Sequence, residues 1–218
     1  MESSTVSFSL LELFKLGGIF MWPLAAFSVA TLAIGFERLF YLSYHNLRMG
    51  IIGGKVSEYV KNRDFQGAAA FLTPLTKRAM GARILLALIK RAAPAQGKPF
   101  SERNAERAVE TEAMVCLNSL ESGFNFLVAL GSLSPLTGFL GTVSGMIGAF
   151  RSIAEATEVN AQIVANGIYE ALITTVFGLI IAIVAMVFHS VFTHIVDKFA
   201  AEVEKSCSDL IAEIAGQQ

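Results

Sequence analysis

The chain has 218 residues, 54% of them hydrophobic and only 16% charged, which is too apolar for an average soluble domain. It is also too short for a many-helix transporter. The formal net charge of −1 says little until the charges are placed, and they cluster strongly enough to leave three long uncharged stretches.

The first stretch covers 16–36. The second covers 122–150, and the third 159–196, interrupted only by Glu170. A helix needs about 20 apolar residues to cross a hydrocarbon core of about 30 Å, so each stretch suffices. Buried helices of a large soluble core are the alternative, but a soluble chain of this size rarely needs three. The expected fold class is therefore all-α, an integral membrane protein with three transmembrane helices. Segment 1–16 precedes the first span and 17–44 forms it. Its leader carries one base, Lys15, against Glu2 and Glu12, and no small-residue cleavage site follows the apolar run. It reads as a retained span, with Tyr41 and Tyr44 as an aromatic belt, rather than a cleaved signal.

Residues 45–123 read as a folded helical region. Apolar residues recur at helical spacing over 51–59 and 75–89, and 65–72 is a small-residue helix after Asp64, a fitting N-cap. Pro94, Gly97 and Pro99 break the pattern. Ser101 then caps a charged helix that runs into the second span. A continuous helix over 101–150 would be about 75 Å long, with Pro135 kinking it because proline lacks an amide donor. The second span is assigned to 124–150, an intervening loop to 151–162, the third span to 163–190, and a helical extension of that span to 191–218.

Basic residues set the expected orientation. Twelve of the seventeen Lys and Arg lie between His45 and Glu121, with Arg38 and Arg48 close to the first span. The loop between the second and third spans offers only Arg151 against Glu155 and Glu158. The positive-inside rule then puts the N-terminus outside and both the 45–123 region and the C-terminus in the cytoplasm. Cys116 and Cys207 would face a reducing compartment as ordinary helix residues.

The second span carries Gly131, Ser134, Gly138, Gly141, Thr142, Gly145 and Gly148 along one helix face. The third carries Gly167, Ala171, Thr175, Gly178, Ala182 and Ala185 likewise. Small faces let membrane helices approach closely. Spacing alone leaves open whether these faces only pack or also line a pathway. Glu170 is the one acid in the third stretch. A charge at a helix centre costs roughly 2.5–3.5 kcal/mol on insertion scales, so it faces a bundle interior or water, unless the span begins after it. Thr142, Thr174 and Thr175 can hydrogen-bond their own helix or order water.

Ser134-Pro135-Leu136-Thr137-Gly138-Phe139-Leu140-Gly141-Thr142-Val143-Ser144-Gly145-Met146-Ile147-Gly148-Ala149-Phe150 closely resembles the second-span motif of the MotA/TolQ/ExbB proton-channel family. Asn166-Gly167-Ile168-Tyr169-Glu170-Ala171-Leu172-Ile173-Thr174-Thr175, followed by Gly178-Leu179, resembles the third-span motif. The resemblance covers about 101–190, and three spans rather than four favour the ExbB/TolQ branch. It implies a homo-oligomeric ring, a pentamer, in which the second and third spans line a pore around an ExbD- or TolR-like single-span partner. That partner carries the titratable Asp, and a TonB- or TolA-like protein is a further partner. By this resemblance the proton pathway falls on Thr142, Thr175 and Glu170. Pro135, Gly138, Gly141, Gly145, Gly167, Ala171 and Gly178 fall on the packing faces of the pore helices. Tyr169, Ser144 and Val184 depart from the family's usual residues, a small residue, Trp and Pro respectively.

Other classes fit less well. His45, His189 and His194 show no metal-ligand spacing, and no acid, base and nucleophile converge, so neither an enzyme nor a cofactor or metal is expected. Paired intramembrane charges and repeated broken helices, the marks of a self-sufficient transporter, are missing. The bases are interleaved with acids and explained by topology, which disfavours nucleic acid. A passive membrane scaffold for another envelope complex is the alternative.

Overall fold

The computed structural model describes residues 14, 16–45, 47, 49–92, 100–155 and 161–217, apart from the side chains of 161, 163, 164 and 166. Most of segment 1–16, Arg48, the Pro94/Gly97/Pro99 break and residues 156–160 of the 151–162 loop lie outside the described residues.

Among the described residues the regular structure is entirely helical, an all-α fold: α1 Met21–Tyr44, α2 Met49–Lys61, α3 Phe65–Leu75, α4 Met80–Ala92, α5 Glu102–Glu121, α6 Phe124–Glu155 and α7 Ala161–Ala215. Among the described residues three helical segments are long and apolar enough to cross a membrane, and each overlaps one of the three uncharged stretches of the sequence. The chain divides into two compact units. One holds residues up to Phe36 together with Gly123–Ser190, and the other holds Glu37–Ser122 with Val191–Gln218.

The first unit is built for lipid. Met21 and Leu24 of α1 pack with Ile173 and Ile181 of α7, joined by Phe14, Phe27 and Phe177. Gly35 lies against the ring of Phe188, where a Cβ would come within 2.6 Å of Cε2. Yet large apolar side chains stay uncovered: Leu136 and Phe139 of α6 are each 63% exposed and Ile183 of α7 is equally so. Apolar surface on this scale is not tolerated in water and needs lipid or neighbouring helices. Residues 17–20 are not helical, so α1 begins at Met21, within the 17–44 segment assigned to the span.

The second unit has a buried apolar core. Val56, Leu72, Ile84, Leu85, Leu88, Ala105, Cys116, Leu120, Phe199, Cys207 and Leu210 are buried, and polar links tie its surface. Arg83 bonds Glu112 at 2.7 Å, and Ser57 donates to Glu213 at 2.9 Å. The Arg38 guanidinium donates to the Ser119 carbonyl at 3.2 Å, while the Tyr41 and Ser119 hydroxyls lie 2.8 Å apart. Burial pushes both thiols up, Cys207 to about 12, so neither ionises at neutral pH.

Asp64 caps α3 as the sequence expects, its carboxylate accepting from the Gly67 amide at 2.7 Å. Asp64→Ala is expected to cost about 1 kcal/mol. The loss would be read as faster amide exchange in the first turn of α3; unchanged protection there would remove the cap from the account. Ser101 holds the N-cap position of α5 without a side-chain cap bond. The 75–89 periodicity divides at 76–79, where α3 has ended and α4 not yet begun.

The continuous 101–150 helix is not what forms. It breaks at Ser122–Gly123, where Gly123 takes φ +88°, a conformation that costs glycine little and other residues more. Beyond it α6 runs uninterrupted through Pro135, so the break lies at glycine and not at proline. Asp197 and the later charged residues continue α7, as expected of an extension of the third span.

Candidate functional site

The site belongs to the first unit, where α6 and α7 pack along their small faces. Along the contact the missing side chains of five glycines are matched by atoms of the opposite helix, while Gly148 has nothing within 4 Å. A Cβ on Gly178 would lie 2.5 Å from the Ser134 carbonyl oxygen, and one on Gly138 2.7 Å from the Thr174 carbonyl oxygen. At Gly141 it would meet the Thr174 hydroxyl at 2.5 Å. At Gly145 it would lie 3.1 Å from the Cβ of Ala171, and at Gly167 2.5 Å from the Cβ of Ala149. Real Cβ atoms do not approach backbone so closely. Gly138, Gly141, Gly145, Gly167, Ala171 and Gly178 are thus brought together as the interface that lets the two helices touch. Pro135 is half-buried, next to buried Ser134 and three residues before buried Gly138. Gly131 is different, since its neighbour is the flexible end of Met186.

Close approach brings hydroxyls together. Thr142 and Thr175 share a direct hydroxyl–hydroxyl hydrogen bond across the two helices. The Thr142 hydroxyl also lies 3.2 Å from the Gly138 carbonyl and 3.3 Å from the Ala171 carbonyl, and the Thr175 hydroxyl lies 3.2 Å from the Gly138 carbonyl. A hydroxyl has one proton, so these are alternative donations. When Thr175 donates to the Gly138 carbonyl, Thr142 donates to Thr175; when Thr142 donates to a carbonyl, Thr175 donates to Thr142. The pair therefore has two hydrogen-bonded arrangements of similar geometry, as a hydroxyl relay requires. Both residues are half-buried, with one side open.

Thr174 has a part that sequence reading did not assign it. It is 1% exposed, and its hydroxyl reaches the Ala171 carbonyl of its own helix at 2.8 Å and the Gly138 carbonyl of the facing helix at 3.2 Å. It ties α7 to α6 directly behind the Thr142–Thr175 pair. The sequence signal was the Thr174-Thr175 doublet: adjacent residues on a helix point about 100° apart, so one can face the partner helix and the other an opening.

Glu170 stands apart from the threonine pair. Its side chain is exposed and borders a cavity of about 270 Å³, together with Gly17, Ile19 and Phe20 before α1, Gly141, Ser144, Gly145 and Ser152 of α6, and Gly167. Gly141, which precedes Thr142, and Gly145, one helical turn on, line the cavity, whereas Thr142 and Thr175 do not. Tyr169 is partly exposed beside Glu170, and Val184 is half-buried farther along α7. Among the described residues no three His, Cys, Asp or Glu side chains converge on a metal-sized position.

Residues 76–205 match the model of the MotA/TolQ/ExbB proton channel family. The chain is 32% identical to an ExbB-like biopolymer transport protein of Synechocystis over 178 residues, which span 81% of each chain. It is 36% identical over 93 residues to the biopolymer transport protein ExbB of Pseudomonas putida, a stretch covering 43% of this chain and 28% of that protein. It is 42% identical over 74 residues to the Tol-Pal system protein TolQ of Pseudomonas aeruginosa, covering 34% of this chain and 32% of that one. The matched region holds the hydroxyl pair, the glycine interface and Glu170, and the chain belongs to the MotA/TolQ/ExbB proton channel family, on its ExbB/TolQ branch.

Proposed function

We propose that this chain is the channel-forming subunit of an inner-membrane motor driven by the proton-motive force. In this reading α6 and α7 of several copies, arranged as a pentameric ring, enclose an ExbD- or TolR-like single-span partner that carries a titratable Asp. Protons enter from the outer side by way of Glu170, protonate the partner Asp and leave past Thr142 and Thr175. The N-terminus lies outside and the C-terminus in the cytoplasm. The segments follow the charge pattern: 1–16 outside, 17–44, 124–150 and 163–190 in the membrane, 151–162 outside, and 45–123 and 191–218 inside. Each charge falling through 100 mV releases about 2.3 kcal/mol, which turns one component against the other and is passed to a TonB- or TolA-like protein.

One observation carries this reading. Two hydroxyls meet between two membrane-length helices, with one side open, and the same helix pair borders a cavity that holds the Glu170 carboxylate. The test is reconstitution in vesicles with and without a single-span partner containing one intramembrane Asp, with particle imaging to count subunits. Proton uptake should require both proteins and should vanish with Asp→Asn in the partner. A lone, proton-impermeable chain with every such partner would leave the passive scaffold as the better account.

A further inference from the structure

The turn that precedes α1 takes part in the α6–α7 site. Gly18 adopts φ +65°, a conformation in which side chains are strained, and a Cβ at this position would fall on the Oε1 atom of Glu170. The backbone conformation favours glycine here, and any side chain would displace the Glu170 carboxylate from its present position. Gly17 is buried against Met21 and Ile173, which holds the turn in place. The cavity beside this contact has the Gly17–Phe20 turn on one side, and Ser144, Ser152 and the glycines of α6 on the other.

We propose that this cavity is a water-filled vestibule for the Glu170 carboxylate, and that Gly18 and Ser144 are the residues that keep it open. Water enters a cavity when there is room and when several polar groups offer partners. Room exists here because Ser144 is small and because Gly148 carries no side chain and has open space beside it. Partners exist in the two serine hydroxyls and the carboxylate. A carboxylate beside water pays little of the desolvation cost that a membrane imposes. This water would carry protons to Glu170, so the vestibule's role rests on the proposed proton path, whereas its hydration does not.

Cysteine labelling in lipid nanodiscs separates the two. A charged methanethiosulfonate reacts with thiolates, which form where water reaches and not in apolar surroundings. Cys116 and Cys207 are buried with raised thiol pKa, so the unaltered chain serves as the blank. Ser144→Cys should label at least ~10-fold faster than Ala185→Cys, a fully buried position of α7. Adding Gly18→Val should slow that labelling several-fold and lower proton uptake in the reconstituted complex. Should Gly18→Val fail to assemble, Ser144→Phe blocks the cavity from a helix without backbone strain, and Glu170→Cys then reports the loss of access. Labelling of Ser144→Cys no faster than of Ala185→Cys would overturn the proposal, as would rates that neither blocking variant slows. Fast labelling in a complex that never conducts protons would instead keep the vestibule and reject the proton path.

Discussion

Replacing Thr142 or Thr175 by valine should reduce partner-dependent proton uptake to the background leak while leaving the protein folded and assembled. Valine copies the shape of threonine and removes only the hydroxyl. The stability at stake is small: side-chain hydrogen bonds between membrane helices average about 0.6 kcal/mol. The helices also keep the Thr174 contacts to Gly138 and Ala171, which lie behind the pair. The functional stake is larger, because a relay of two hydroxyls has no second route once one is a methyl group. Serine at either position retains the hydroxyl, so Thr142→Ser should preserve most of the flux. Proton uptake is followed with a pH-sensitive dye in vesicles carrying the complex, and assembly by size-exclusion chromatography. Full flux in both valine variants would remove the hydroxyl pair from the pathway.

Gly138→Val should act the other way, lowering stability first and function as a consequence. The new Cβ would sit 2.7 Å from the Thr174 carbonyl oxygen and 3.1 Å from the Thr175 Cα, and both are backbone. Backbone within two packed helices cannot step aside as a side chain does, so α6 and α7 must separate. Overpacking of this kind costs about 1–3 kcal/mol, and separation also pulls Thr142 away from Thr175. Gly178→Val, aimed at the Ser134 carbonyl oxygen, should behave alike. Gly131→Ala is the informative contrast. Its nearest neighbour is the Met186 sulfur at 3.0 Å, the movable end of a flexible chain. Alanine also has a helix propensity better than glycine by about 1 kcal/mol. Thermal unfolding in detergent should therefore rank Gly131→Ala near the unaltered protein and both valine variants well below it. Equal melting of all three would contradict the interface.

The contrast among these glycines explains how far spacing can be taken. Three- and four-residue spacing places Gly131, Gly138, Gly141 and Gly145 on one face whatever the fold, because the helix period alone dictates it. It cannot say which of them meets backbone and which meets a yielding side chain. That depends on the register of α7 against α6, which local sequence does not encode. The same holds for Thr174. Its potential to bond its own helix is legible, but its bridge to Gly138 requires the second helix to be in place.

The helix break is a second instance. Proline is the stronger breaker in isolation, because it lacks an amide donor. The interruption at Ser122–Gly123 instead falls where a charged helix gives way to an apolar one, and where glycine permits the positive φ. Pro135 is accommodated within a continuous α6.

Three membrane-length helices, the all-α class, the capped helix after Asp64 and the family itself were determined by the sequence, because apolar length, periodicity and motif are properties of consecutive residues. The pairing of Thr142 with Thr175, the bridge at Thr174 and the seating of Glu170 against Gly18 were decided only by the tertiary structure. Those contacts join residues 33, 36 and 152 positions apart, and no local rule of side-chain direction reaches across such a gap.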